Sequence, residues 1–113
     1  KKETVDSKVY TLDEFIDLKN IKNVDFIKLD VDGFELDVIK GGANYLKMFK
    51  PPIFMELAPY LYKEFGYSID ELIDNIRSLN YEFYDMKKLT KIEDIHSYSK
   101  KIHDGSSTNI LIL

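Results

Sequence analysis

Cysteine is absent from the 113 residues, which removes disulfides, thiolate nucleophiles and cysteine-ligated zinc in one step. A cytoplasmic location is the expectation that goes with it. No apolar run approaches the roughly 18 residues of a membrane span, so a soluble chain without a membrane partner is expected. There is no basic stripe either. The formal net charge is -4, with acids and bases interspersed, and nucleic acid is not expected as a partner. Internal repeats, low-complexity tracts and any GxG sequence are missing. No signal-peptide pattern opens the chain, and its first residue is Lys rather than Met. What remains is a globular composition, 44% hydrophobic and 13% aromatic. A chain of this length forms one domain at most and buries roughly 65% of its unfolded surface.

The stretch that organises the rest is Phe26-Ile27-Lys28-Leu29-Asp30-Val31-Asp32-Gly33-Phe34-Glu35, where a short apolar run breaks into acids and a glycine before helical spacing begins. Alternation over Phe26 to Val31 puts Ile27, Leu29 and Val31 on one face, with Phe26, Lys28, Asp30 and Asp32 on the other. Parallel strands in α/β sheets open their carboxyl ends into the crevice where ligands sit, so Asp30, Asp32 and Glu35 are placed for chemistry. Gly33 suits a sharp strand-to-helix turn. Helical spacing follows at Leu36, Ile39, Ala43 and Leu46, interrupted by Gly41-Gly42. That pair reads as a close-packing point or kink, because a phosphate-cradling glycine loop should stand between a strand and a helix start.

Lys50-Pro51-Pro52 ends that helix, and Ile53 to Leu57 reads as a buried strand with Glu56 at its tip. Two strands joined by a helix make a right-handed parallel unit, so Glu56 is expected beside Asp30 at one sheet edge. Lys28, within a strand flanked by helices, is expected to be buried and to pair with Glu56 or Asp30.

Elsewhere, Thr11-Leu12-Asp13-Glu14 fits a capping box before a helix that carries Leu12, Phe15, Ile16 and Leu18 and stops at Asn20. A short extended piece is expected at Lys8 to Tyr10. Pro59 to Phe65 reads as a short helix or lid ended by Gly66. Ser68-Ile69-Asp70-Glu71 opens a second capped helix. Tyr81 to Asp85 alternates as a strand, and Asn109 to Leu113 is a final buried strand. The polar segment between them is expected to be a long loop with a helical turn around His96 to Lys101. His96 and His103, with no third ligand in pattern, read as surface residues.

In order and spacing, Thr11 to Ile16, the FIKLDVDGFELDVIKGG run from Phe26 to Gly42, Lys50-Pro51 before IFMEL, Gly66-Tyr67-Ser68 and Asn109 to Leu113 resemble the FkbM-type methyltransferases. That family more usually has Glu where this chain has Asp32. The resemblance implies an α/β fold, the C-terminal half of a class I Rossmann-like methyltransferase, with a mostly parallel sheet and an antiparallel last strand. The expected spatial order is Phe26 to Val31, Ile53 to Leu57, Asn109 to Leu113, then Tyr81 to Asp85. It implies S-adenosylmethionine as cofactor and a hydroxyl of a sugar, polyketide or similar small molecule as acceptor. The family's cofactor-binding glycine loop and ribose-holding acid belong to earlier strands. A partial domain is therefore expected, inactive alone and self-associating through an open sheet edge. In the intact enzyme, Asp30 and Glu56 would be catalytic, Lys28 would help bind the acceptor, and Asp32 and Glu35 would position the acceptor or cap the helix, where the macrodipole favours acids in any case.

Two other classes fit part of the pattern. Asp30-Val31-Asp32-Gly33 after an apolar strand mimics a haloacid-dehalogenase-type phosphatase with Asp30 as nucleophile, though Phe34 and the immediate helical spacing argue against it. A non-catalytic interaction module would make the polar tips incidental. An EF-hand fails, because its glycine stands sixth in the loop and Gly33 is fourth from Asp30.

Overall fold

The computed structural model describes residues 8–113. In chain order the elements are α1 (Leu12–Leu18), β1 (Ile27–Leu29), α2 (Glu35–Gly41), α3 (Ala43–Phe49), β2 (Ile53–Leu57), α4 (Pro59–Glu64), α5 (Ile69–Ser78), β3 (Phe83–Asp85), α6 (Ile95–Lys100) and β4 (Thr108–Ile112). Most of Lys1 to Val9 lies outside the described residues, and the extended piece expected at Lys8 to Tyr10 forms no strand.

The sheet order is β1-β2-β4-β3, as the resemblance implies, and β4 runs antiparallel to both neighbours. Only β1 and β2 pair in parallel. By its pairings the sheet is mixed, one parallel and two antiparallel: β1, β2 and β3 point the same way, and β4 takes its expected place between β2 and β3 and runs against both. β1 is also shorter than the expected Phe26 to Val31, because the chain turns away after Leu29.

One face of this sheet is the core. Leu29, Ile53, Met55, Leu57, Phe83, Ile110 and Ile112 are buried there with Leu36 and Ile39 of α2, Leu46 of α3, Leu72, Ile73 and Ile76 of α5, and Ile95 of α6. Each such side chain contributes about 1.5–3 kcal/mol on burial. On the other face, register aligns Lys28, Phe54, Leu111 and Tyr84 across the four strands, and these residues are exposed or half-buried. This overturns the expected burial of Lys28: its side chain is exposed, and no ion pair of Lys28 occurs among the described residues.

The capping boxes explain where helices start. Glu14 N–H donates to Thr11 Oγ1 at 3.1 Å while Thr11 N–H donates to Glu14 Oε1 at 2.8 Å, and these bonds hold the Glu14 carboxyl below its usual range. At α5 only half the box forms: Ser68 Oγ accepts from Glu71 N–H, and the Glu71 carboxylate lies 3.9 Å from Lys40 instead. The apolar stripe expected on α1 is only half realised: Ile16 is buried and Leu12 packs against the core, but Phe15 and Leu18 are exposed. α1 is held by close approach instead. A Cβ on Gly42 would stand 2.6 Å from Leu12 Cδ2, and one on Gly41 would stand 3.1 Å from Thr11 Cβ. The glycine pair is thus the packing point the sequence suggested, and it splits the expected single helix into α2 and α3. Asp13 of α1 then accepts from Asn44 and Tyr45 N–H at 3.1 and 3.0 Å, capping α3, whose own N-cap Gly42 has no side chain.

Candidate functional site

Because β4 is antiparallel, its first residues lie at the same sheet edge as the ends of β1, β2 and β3. That edge opens into a groove of about 450 Å³ lined by Lys28, Asp30, Phe54, Glu56, Met86 and Asn109, among others. A second hollow of about 530 Å³ shares Glu56, Met86 and Asn109 with it and continues past Asp85, Lys87, Tyr98 and Thr108. The structure so brings together Lys28, Asp30 and Glu56. Asp30 and Lys28 are exposed, and Glu56, opposite Asn109 in the strand register, is half-buried. A wider depression of about 830 Å³ lies along α1 between Tyr10, Phe15 and Asp37, but none of the strand-tip acids lines it.

Asp32 and Glu35 are placed differently. Asp32 sits in the turn after β1 with φ 49°, its side chain exposed and outside both hollows. Glu35 is only 2% exposed. Its carboxylate turns back onto the strand tip, accepting from Val31 N–H and Gly33 N–H, each at 2.9 Å. Burial pushes this carboxyl above its usual range and outweighs the pull of the backbone donors. The expected contact between Glu35 and an acceptor is therefore corrected, because both its oxygens are spent on the turn and solvent does not reach it.

The turn is held from above as well. Gly33 has φ 105°, and a Cβ there would stand 1.7 Å from Phe65 Cε2. Phe65 in turn packs on Phe34 with ring centroids 4.6 Å apart. Tyr67 donates its hydroxyl to the Gly33 carbonyl at 2.6 Å. Tyr62 is fully buried beneath, stacked on Tyr67 at 5.2 Å, and its hydroxyl accepts from Ala58 N–H and donates to the Glu56 carbonyl, each at 3.2 Å. Burial raises the phenols of both tyrosines, that of Tyr67 to about 12. The ends of β1 and β2 are thus tied to one segment, Ala58 to Tyr67.

Several residues of this edge were not singled out from sequence. Asn109 carries a signal, since strand alternation puts it on the same face as Leu111. Met86 and Tyr98 carry none, because the course of the segment after β3 brings them in. Asp85 belongs to the second hollow, but its Oδ1 closes the following turn by accepting from Lys87 and Lys88 N–H at 2.9 and 2.8 Å, which lowers its carboxyl. His96 has a partner the sequence did not suggest, with Nδ1 2.6 Å from Asp70 Oδ1, linking α6 to α5.

Residues 1–83 match the family model described as the methyltransferase FkbM domain, a span that runs from before α1 to the start of β3. No curated protein and no solved structure matches the chain. An adenosyl cofactor of such a family needs a glycine loop with free backbone donors between a strand and a helix. Among the described residues the turn in that position is Asp32-Gly33, and Glu35 already occupies its Gly33 N–H while Phe65 covers it. Gly41 and Gly42 face α1. The described residues do not form a cradle for S-adenosylmethionine.

Proposed function

The chain belongs to the FkbM methyltransferase family, and from that premise we propose that it is the acceptor-side half of an S-adenosylmethionine-dependent O-methyltransferase of class I Rossmann-like fold. The observation that carries this reading is the convergence of Asp30, Glu56 and Lys28 on one groove at the carboxyl ends of β1 and β2. Methylation of a hydroxyl needs the oxygen oriented and its proton removed. Asp30, one residue past β1, accepts the hydroxyl hydrogen bond and takes that proton. Glu56 and Asn109 form the opposite polar wall, Lys28 sets the charge beside them, and Phe54 and Met86 pack the acceptor's carbon skeleton. A sugar or polyketide hydroxyl suits such a mixture of carboxylates, amide and apolar surface.

The cofactor cradle comes, in this reading, from polypeptide other than the described residues, and it joins along the outer edge of β1, unpaired among those residues. A calorimetric titration tests this. The chain by itself gives no heat with S-adenosylmethionine, and it gains binding when a polypeptide carrying the family's glycine-loop strands is added. Binding in neither arrangement would overturn the methyltransferase reading, and binding by the chain alone would overturn the division of labour.

A further inference from the structure

Burying a carboxylate without a cation is unfavourable unless strong hydrogen bonds compensate, and an apolar residue at the same place would stabilise the fold more cheaply. Glu35 is nevertheless 2% exposed at the first turn of α2, and no ion pair of Glu35 occurs among the described residues. Attraction to the helix macrodipole does not account for it. That attraction asks only for an acid near the helix start, which a solvent-exposed side chain can also supply. The Glu35 oxygens instead reach backwards, four and two residues, to Val31 and Gly33.

From this geometry we infer that Glu35 is a positioning residue, seconded by Tyr67, which holds the Asp30 and Asp32 carboxylates in place by pinning the backbone of Val31 and Gly33. The Gly33 residue is gripped at both ends: its N–H by Glu35 and its carbonyl by the Tyr67 hydroxyl at 2.6 Å. Phe34 N–H closes the turn on the Val31 carbonyl at 3.2 Å. Asp32 lies between the two pinned residues in a left-handed conformation, φ 49°, that an unconstrained aspartate seldom keeps. Asp30 immediately precedes Val31. Neither Glu35 nor Tyr67 lines the groove, so whatever they do for it passes through this turn. The charge-assisted bonds from two amides to one carboxylate give the turn a single geometry that no neutral side chain of that size reproduces.

The inference rests on the acceptor-side reading only for what the held carboxylates do, and its test involves no methyl transfer. In the full chain, amide hydrogen exchange and carboxyl carbon resonances are measured by NMR for Glu35→Gln and Tyr67→Phe. Glutamine keeps the size but offers one acceptor oxygen. One of the Val31 and Gly33 amides therefore stays protected, the other exchanges at least about tenfold faster, and the Asp30 and Asp32 carboxyl resonances move while the core amides of β2 do not. Tyr67→Phe changes no charge and removes one hydroxyl. Asp32 resonances shift in it while the core amides of β2 keep their protection, which separates geometry from the lost Glu35 charge and supplies the answer if Glu35→Gln fails to fold. Protection of both amides in Glu35→Gln, or unmoved Asp32 resonances in Tyr67→Phe, overturns the inference. A failed methyltransferase reading shows itself separately, as the absence of cofactor binding in either arrangement.

Discussion

Gly33→Ala perturbs the strand tip at its most constrained atom. The added Cβ would lie 1.7 Å from Phe65 Cε2 and 2.1 Å from Cδ2, so the ring must leave its place on Phe34. Displacing it costs about 1–3 kcal/mol in overpacking or lost contact. The backbone adds about 1–2 kcal/mol, since φ 105° is strained for any residue with a side chain. The lower entropy of the unfolded alanine chain returns about 0.4–1 kcal/mol of the difference. The net loss is about 2–4 kcal/mol, a large part of a stability that for small domains is about 5–15 kcal/mol. With a urea m-value of about 1.5 kcal/mol/M the unfolding midpoint falls by about 2 M. Gly66→Ala is the comparator. Its φ of 82° carries the same backbone strain, but nothing lies within 4 Å of its added Cβ, so it loses only about 1 kcal/mol. Repeating Gly33→Ala in a Phe65→Ala background removes the clash and leaves the backbone part. Equal costs for Gly33→Ala and Gly66→Ala, or an unchanged cost in the Phe65→Ala background, would refute the close approach of Phe65 to the turn.

Asp13→Ala removes the acceptor that caps α3 from α1 and lowers stability by about 1 kcal/mol, seen as a fall of roughly 4 °C in thermal midpoint; no fall would mean that the cap contributes nothing. Alkaline pH destabilises the fold through Tyr67 and Tyr81, whose phenols burial raises from 10.0 to about 12. Because the folded values lie above the unfolded one, this stabilisation is full below pH 10 and disappears as pH rises toward 12. The urea midpoint therefore declines over that window, and less steeply in Tyr67→Phe. Self-association through the outer edge of β1, unpaired among the described residues, is the expected outcome, seen as dimers or larger species by light scattering that dissociate when the complementary strands are supplied; a monomer at high concentration would speak against that edge.

Features governed by local pattern were legible in the sequence. The Thr11–Glu14 box, the β2 bounds Ile53–Leu57 and the helical turn near His96 each depend on residues within a few positions of one another. The strand order and the meeting of Asp30 with Glu56 followed from crossover rules and the family resemblance. What was not legible depends on distant partners. Glu35 was read as an acid that positions the acceptor or caps the helix because the residues that enclose its turn, Phe65 and Tyr67, stand about thirty positions later. Asp13 looked like part of its own helix's first turn, yet its oxygens serve α3. Lys28 was expected to be buried on the assumption that helices cover both sheet faces, and among the described residues its face is open.

Methyl-transfer turnover of Asp30→Asn tests whether Asp30 handles the acceptor hydroxyl at the groove. The chain is reconstituted with the glycine-loop polypeptide, S-adenosylmethionine and a hydroxyl acceptor, beside the unsubstituted protein. Asparagine can still accept a hydrogen bond but cannot take the proton, so turnover falls about 10²-fold or more while the urea midpoint stays where it was. Unchanged turnover in the folded variant would remove Asp30 from the chemistry.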